Sequence, residues 1–180
     1  MRVIAGVARG VPLVAPRDRA TRPITDRVKE TLFGILGKRV PEAHVLDLYA
    51  GSGAIGIEAL SRGAAHATFV EKAPAALAAI RANLERTRLG HAARVEPRDV
   101  DRFLREPSGG PWDLVFLDPP YELRDIVAPL RVVVPQLAPG ATLVVKHFWR
   151  SEPPDVAGLG VVRQRRFGET MLTFWEAENG

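Results

Sequence analysis

The sequence has no cysteine and only two methionines in 180 residues. The absence of cysteine excludes disulfide bonds, cysteine-ligated zinc and a cysteine nucleophile. No apolar run approaches the roughly 18 residues of a membrane-spanning helix, and glycine and arginine interrupt the first residues too early for a secretion signal. The four histidines lack the spacing of metal ligands. We therefore expect a cytoplasmic protein without a metal or a membrane anchor, and we expect it to be a monomer.

Positive charge is concentrated in the first part of the chain. Residues 1–40 hold nine lysines and arginines against three acids, which gives +6, whereas the rest of the chain nets −2 within a total of +4. A near-neutral body with a basic arm is the charge distribution of a polyanion-binding protein. The alternative is a solvated surface in an arginine-rich protein.

Residues 1–42 are predicted to form a small N-terminal extension, and residues 43–180 the main domain. Two apolar stretches flank a turn at Arg9-Gly10, which indicates a short hairpin. Thr25 is a suitable cap for a helix from Asp26 to about Leu36, because the apolar residues of that segment fall at helical spacing.

From residue 43 onward, short apolar stretches alternate with segments of helical spacing. This alternation predicts an α/β fold with a doubly wound, mostly parallel sheet, in which ligands bind beyond the carboxyl ends of the strands. Pro129 predicts a broken or late-starting helix around Ile126–Val134, and Gly168-Glu169 joins two strands of an antiparallel edge hairpin. The predicted strands are His44–Tyr49, Ala67–Glu71, Ala93–Glu96, Asp113–Leu117, Ala141–Phe148, Val161–Phe167 and Thr170–Trp175, and the other helices are Ile55–Arg62, Pro74–Leu89 and Val100–Leu104.

A glycine-rich turn follows the first of these strands. Gly51, Gly53 and Gly56 match the G-x-G-x-x-G spacing that lets a nucleotide approach the backbone. Glu71 closes the next strand, 20 residues after Gly51, where a carboxylate can accept hydrogen bonds from ribose hydroxyls. On this loop alone NAD remains a candidate cofactor. Asp47 argues against it, because an acid beside the turn repels a pyrophosphate but attracts an ammonium and a sulfonium.

The string from Asp47 to Gly53, D-L-Y-A-G-S-G, resembles the first motif of class I S-adenosylmethionine-dependent methyltransferases. The resemblance implies a Rossmann-like class I methyltransferase fold and S-adenosylmethionine as the cofactor. It also implies that Asp99, after the third strand, receives the adenine amino group, although Asp99 is equally suited to cap a helix. The predicted cofactor-binding residues are Asp47, Tyr49, Gly51, Ser52, Gly53, Glu71, Asp99 and Val100.

A second motif, Asp118-Pro119-Pro120-Tyr121, ends the fourth strand. Two prolines make the loop rigid, so that it presents the Asp118 carboxylate and the Pro119 carbonyl together. Two acceptors can orient the N–H groups of an amine conjugated to a base and favour its nucleophilic form, and Asp118 can take the proton. Tyr121 offers a face on which a base can stack. These four residues are the predicted catalytic loop.

The segment from Arg22 to Phe33, R-P-I-T-D-R-V-K-E-T-L-F, is similar to the signature that precedes the catalytic domain of bacterial 16S rRNA guanine-N2 methyltransferases. The resemblance covers essentially the whole chain. It implies methylation of N2 of one guanine, at position 966 of the RNA, in 16S rRNA of an assembling small subunit. Arg9, Arg22, Arg27 and Lys29 are the predicted RNA contacts. Ile24, where the family usually has threonine, and Lys146-His147, where an acid is expected before the histidine, depart from the pattern and receive no role.

Three other functions remain as alternatives. A DNA adenine-N6 methyltransferase shares the Asp-Pro-Pro-Tyr motif but usually carries a recognition region, and none is visible in this sequence. An NAD-dependent oxidoreductase would need a catalytic Tyr-Lys or His arrangement after the fourth strand. A non-catalytic RNA-binding protein would not need Asp118 and Tyr121.

Overall fold

The computed structural model describes residues 1–16, 24–106, 109–119 and 127–178. Seven strands form one sheet in the order β3-β2-β1-β4-β5-β7-β6. The strands are β1 (His44–Leu48), β2 (His66–Glu71), β3 (Ala93–Pro97), β4 (Trp112–Leu117), β5 (Leu137–Phe148), β6 (Leu159–Phe167) and β7 (Thr170–Ala177), and the helices are α1 (Asp26–Leu36), α2 (Ala54–Ser61), α3 (Pro74–Thr87), α4 (Val100–Arg105) and α5 (Val127–Val133).

The parallel part of the sheet confirms the doubly wound prediction. Strand β1 lies in the middle, parallel to both β2 and β4, and the strand order reverses there. This is the switch point beside which open α/β sheets bind their ligands. The carboxyl ends of β1 to β5 therefore share one edge, which we call the site edge.

Apolar side chains cover both faces of the sheet. Phe116, Val144 and Phe174 face α1, α2, α3 and the N-terminal segment, and we call this side the α1 face. Trp112 and Trp175 belong to a second buried cluster on the other side, with α4 and α5. Strand residues buried on both faces explain why the strands read as short continuous apolar runs rather than alternating ones.

Helix α1 begins and ends as the sequence predicts. Thr25 Oγ1 accepts a hydrogen bond from the Val28 N–H at 3.3 Å, which satisfies one free donor of the first turn. The helix ends at Gly37, whose φ of 51° suits glycine. Leu32 and Phe33 on its buried side join the core of the α1 face.

The predicted N-terminal hairpin forms a short antiparallel pairing, with a bridge between Arg2 and Pro12 and cross-strand hydrogen bonds from the N–H groups of Val3, Gly10 and Leu13. Polar side chains of the helices fix the rest of this segment. Ser61 Oγ accepts from the Ala8 N–H and donates to the Ala5 carbonyl, and a β-carbon at Gly6 would lie 1.7 Å from the Ser61 carbonyl oxygen. The segment is therefore held both by its own strand pairing and by its fit against α2.

The C-terminal half also follows the predicted order. Helix α5 spans Val127–Val133 and contains Pro129. Strands β6 and β7 form the expected antiparallel hairpin. Strand β7 is not at the edge, however: it inserts between β5 and β6, antiparallel to both, and leaves β6 as the edge strand.

Candidate functional site

The glycine turn between β1 and α2 lies at the site edge. Gly51 and Gly53 have φ values of 57° and 74°, and Tyr49 also adopts a positive φ of 58°. The third glycine serves packing, because a β-carbon at Gly56 would lie 2.4 Å from the ring of Phe69. The turn is therefore open at Gly51, where a β-carbon would meet only the Tyr49 carbonyl at 4.0 Å. It is buried at Gly53, and it brings α2 close to β2 at Gly56.

Asp47 lies in β1 beneath this turn and is 1% exposed. Its Oδ2 accepts a hydrogen bond from the Gly56 N–H at 3.0 Å. Burial raises the pKa of Asp47 to about 8, against the opposing effect of that hydrogen bond, and the charges of Asp118 and Glu71 raise it further. A cationic ligand beside this buried carboxyl would stabilise its ionised form and lower its pKa.

Glu71 is held in place by backbone donors around the turn. Its Oε2 accepts from the Gly51 N–H at 3.0 Å, while Oε1 accepts from the N–H groups of Lys72 and Ala73 at 2.8 and 2.9 Å. These bonds fix the carboxylate at the end of β2, beside the first glycine. An acceptor fixed at that point fits the hydroxyl groups of a ribose.

Asp99 has the capping role that its sequence position also allowed. Its Oδ1 accepts from the Asp101 N–H at the start of α4, and its Oδ2 lies 2.9 Å from Lys72 Nζ. The hydrogen bond from Lys72 lowers the pKa of Asp99, so the group is a carboxylate at neutral pH. Asp99 thus remains a hydrogen-bond acceptor at the site edge.

The other predicted cofactor contacts lie around these acids. Tyr49 packs against the buried cluster that includes α4. Burial raises the pKa of Tyr49 to about 12, and the charges of Asp101 and Asp99 add to the effect. The Val100 side chain is buried in the core. The Ser52 carbonyl accepts from Asn83 Nδ2 at 2.9 Å, which ties the turn to α3.

Asp118 follows β4 directly, next to the end of β1. Its N–H donates to the Leu48 carbonyl at 3.3 Å, and its Oδ2 lies 2.7 Å from Lys146 Nζ. Burial raises the pKa of Asp118, whereas the adjacent Lys146 opposes that rise. Pro119 is described and partly buried, but Pro120 and Tyr121 lie outside the described residues.

Lys146 is a site residue that the sequence analysis missed. Its side chain is 11% exposed, and it comes one residue after Val145, which pairs with Leu117 in the parallel β4–β5 ladder. Counting the register of two adjacent strands could have placed it beside Asp118. His147 is different: burial lowers its pKa, and its ring contacts Thr173 Oγ1 and the Phe148 carbonyl, so it is a packing residue.

The predicted RNA contacts divide into exposed and buried residues. Arg9 and Arg27 are exposed, and Arg22 lies outside the described residues. The prediction for Lys29 is wrong, because its side chain is fully buried and pairs with Glu58 at 3.5 Å. Desolvation lowers the pKa of Lys29, and the ammonium also donates to the Arg2 carbonyl. Lys29 therefore anchors the N-terminal segment.

Comparison with known proteins identifies the family. A family described as conserved hypothetical protein 95 matches residues 1–176. The chain belongs to this family. Bacillus subtilis YlbH, which is provisionally named an rRNA methyltransferase, is 35% identical over 98% of both chains. Ribosomal RNA small subunit methyltransferase D of Escherichia coli K12 is 44% identical over 67% of this chain, and the aligned part spans 60% of that protein.

Solved structures agree with the family. The provisionally named methyltransferase yhhF of Escherichia coli superposes on this chain with a TM-score of 0.89 and 34% identity, over 100% of this chain and 99% of that one. Thermus protein TTHA0928 gives 0.83 at 34% identity over 99% of both. Family and fold together show a Rossmann-like class I methyltransferase of the ribosomal RNA methyltransferase family.

Two further observations concern the described residues alone. They contain no group of three or more histidines and acids that could hold a metal ion. No helix among them is long and apolar enough to cross a membrane.

Proposed function

We propose that the protein transfers a methyl group from S-adenosylmethionine to the exocyclic N2 of one guanine in 16S rRNA, within an assembling small subunit. The observation that carries the proposal is the Asp118 carboxylate at the end of β4, held by Lys146 at 2.7 Å beside the glycine turn. The small-subunit rRNA methyltransferases among the relatives support the substrate. Such a substrate implies work in the cytoplasm, and we propose a monomer as the active form.

The turn and its acids fit S-adenosylmethionine. When bound, that cofactor supplies a methyl group on a positively charged sulfur. The buried Asp47 would balance the positive charge of the ligand, since ionisation of this carboxyl is otherwise opposed by burial. Glu71 would accept from the ribose hydroxyls, and Asp99 from the adenine amino group. The backbone at Gly51 leaves space for a ligand to approach.

Asp118 would orient the nitrogen and remove its proton. Transfer forms a nitrogen–carbon bond, breaks the sulfur–carbon bond and releases one proton from the exocyclic amine. An ionised Asp118 can accept a hydrogen bond from the amine N–H before methyl transfer and can take the proton after it. Lys146 favours this ionised state and holds one carboxylate oxygen in place, so we propose it as a positioning residue. The Pro119 carbonyl is the second acceptor of the loop.

The N-terminal extension, residues 1–42, would contact the RNA. Arg9 and Arg27 are its exposed, described arginines among the predicted contacts. Contacts of this kind with phosphates make binding sensitive to salt. Equal RNA affinity at low and high salt would contradict a role for the extension in RNA binding.

Labelled methyl transfer tests the proposal. Purified protein is incubated with methyl-labelled S-adenosylmethionine and small ribosomal subunits from cells that lack the activity. Digestion and mass spectrometry should find N2-methylguanosine, which an Asp118→Asn variant should not produce. Genomic DNA is the competing substrate, and label in adenine would favour a DNA methyltransferase instead. Normal cofactor binding by the variant would show that its fold is intact.

A further inference from the structure

A cluster of arginines and one tryptophan lies along the outermost strand of the sheet, on the side opposite β3. Strand β6 is the edge strand, and its residues from Val161 to Arg166 are exposed. Trp149 follows β5 directly, and its N–H donates to the Glu169 carbonyl in the β6–β7 turn. We define the arginine surface as Trp149, Arg150, Arg163, Arg165 and Arg166.

The charge of this surface is not neutralised by neighbouring acids. Within the described ranges, no carboxylate lies within 4 Å of the four guanidinium groups. Among the described arginines, Arg62 and Arg94 are paired with glutamates, whereas the exposed Arg81, Arg86 and Arg88 around α3 have no described acid within 4 Å, like those of this surface. Four unpaired guanidinium groups give this edge a locally positive potential that attracts an anionic partner.

Trp149 orders two of these arginines. The guanidinium of Arg166 lies 3.6 Å from the centre of the Trp149 ring, and that of Arg150 lies 5.0 Å from it. Arg166 Nε also donates to the Gly168 carbonyl at 2.7 Å. A guanidinium stacked on an aromatic ring keeps N–H groups at its edge for a phosphate. Ordering before binding reduces the entropy lost on contact.

The strand register places this surface next to the site edge. Leu172 of β7 pairs with Lys146 on one side and with Arg165 on the other. Paired strands are about 4.8 Å apart, so the backbone of Arg165 lies about 10 Å from that of Lys146, which contacts Asp118. Opposed residues point to the same face of a sheet. Arg165 and Lys146 therefore share the α1 face, and so does Arg163, which pairs with Phe174. Arg166 pairs with Met171 and points to the opposite face, where it stacks on Trp149. The arginine surface thus wraps around the outer border of the sheet formed by β6.

Helix α1 contributes one exposed arginine, Arg27, to the same face. Arg39, just after the helix, contacts Thr142 Oγ1 at 2.7 Å, and Thr142 pairs with Leu114 near the start of β4. The end of α1 thus lies away from the site edge. Its first residues, including the exposed Arg27, lie toward that edge.

We infer that the arginine surface binds the phosphate backbone of the substrate RNA beside the target nucleotide, as a second contact region distinct from the N-terminal extension. The inference rests on the proposed function for the identity of the polyanion. Charged residues also protect edge strands from pairing with other molecules. Protection of the edge strand would be served by charged residues of either sign on β6, and it would not require an arginine stacked on Trp149.

The test compares two triple variants of equal charge change. Arg163→Gln/Arg165→Gln/Arg166→Gln removes three charges from the surface, and Arg81→Gln/Arg86→Gln/Arg88→Gln removes three exposed charges around α3 as the control. Binding of a fluorescein-labelled RNA stem-loop with an unpaired guanine is measured by anisotropy over a range of salt. The surface variant should bind at least about ten-fold more weakly, with a salt slope smaller by about 2, whereas the control should resemble the native protein.

Further arms separate the possible outcomes. The triple glutamate variant of the same positions keeps a charged edge, so it guards against aggregation of the glutamine variant and should bind RNA more weakly still. S-adenosylmethionine affinity should be unchanged in all variants, and KM for RNA should rise while kcat stays the same. Unchanged RNA affinity and slope in both surface variants would overturn the inference. Normal RNA binding with lost binding to intact small subunits would also overturn it, in favour of a ribosomal protein contact.

The binding assay requires no methyl transfer. Absence of N2-methylguanosine with the native protein would therefore count against the proposed function alone. A surface variant that binds RNA like the native protein would count against the inference alone.

Discussion

Replacement of Glu58 by glutamine tests what holds the N-terminal segment on the body of the protein. Glu58 is fully buried on α2. Its two oxygens accept from the N–H groups of Ile4 and Ala5 at 2.8 and 3.0 Å and from Arg62 Nε at 2.8 Å, and Lys29 Nζ lies 3.5 Å away. The Glu58→Gln variant keeps the volume but turns one acceptor into a donor.

The expected loss in stability is large. An amide nitrogen in place of one oxygen leaves either Ile4 or Ala5 without an acceptor, and the buried ammonium of Lys29 loses its counter-charge. Removal of one partner from a buried ion pair costs about 3–5 kcal/mol, a sizeable part of the roughly 5–15 kcal/mol that stabilises a typical domain. Lys29→Met should cost less, because Glu58 keeps Arg62 and two backbone donors.

Urea denaturation at pH 7 measures these effects. Glu85→Gln, an exposed change of the same chemistry on α3, is the control and should alter stability by less than about 0.5 kcal/mol. The double variant Lys29→Met/Glu58→Gln should be more stable than the sum of the single losses predicts, by about 0.5–3 kcal/mol. An unfolding midpoint for Glu58→Gln equal to that of Glu85→Gln, or strict additivity in the double variant, would refute the reasoning.

Three further predictions concern the site and its support. Folded Asp47 has a pKa of about 8, above an unfolded value near 3.9, so this carboxyl should lower the free energy of unfolding by about 1.4 kcal/mol per pH unit as pH rises between those values. Urea unfolding of Asp47→Asn should lack this pH dependence, and calorimetry should show weak cofactor binding. A pH dependence equal to that of the native protein would contradict the argument from burial. Lys146→Met removes the cation that opposes the raised pKa of Asp118, so the acid limb of the pH–rate profile should move to higher pH while cofactor affinity stays unchanged. Lys146→Arg is the control, and an acid limb of Lys146→Met at the same pH as that of the native protein would argue against a positioning role. Gly6→Ala would place a β-carbon 1.7 Å from the Ser61 carbonyl at a positive φ, so thermal unfolding should show a loss above about 1 kcal/mol, while Gly10→Ala, with the same φ and open space, should lose less.

The fold was predictable because local patterns and the global arrangement agree. Apolar strand runs, the glycine turn and the cap at Thr25 each fix one element independently of its neighbours. The position of β7 was not predictable in the same way. A hairpin after β5 can attach through either of its strands, and only the packing of residues such as Trp175 against the parallel sheet decides between them.

The charged residues of the site were only partly predictable. A charge pattern indicates a basic arm, but it does not tell which lysine a buried glutamate will take as its partner. Lys29 precedes Leu32 and Phe33 by three and four residues, so helical spacing alone could have placed it on the buried side of α1. Lys146 required the strand register, which no single-strand pattern contains. The catalytic roles of Asp118, Pro119, Pro120 and Tyr121 stay predictions.

The order in which the chain is synthesised differs from the order in which its last strands attach. Strand β6 is made before β7, yet β7 lies between β6 and β5. A nascent chain that has just completed Phe167 therefore has no sheet partner for β6. The arginine-bearing strand can join the sheet only after Thr170–Ala177 is in place, so acquisition of this surface is among the late events of folding.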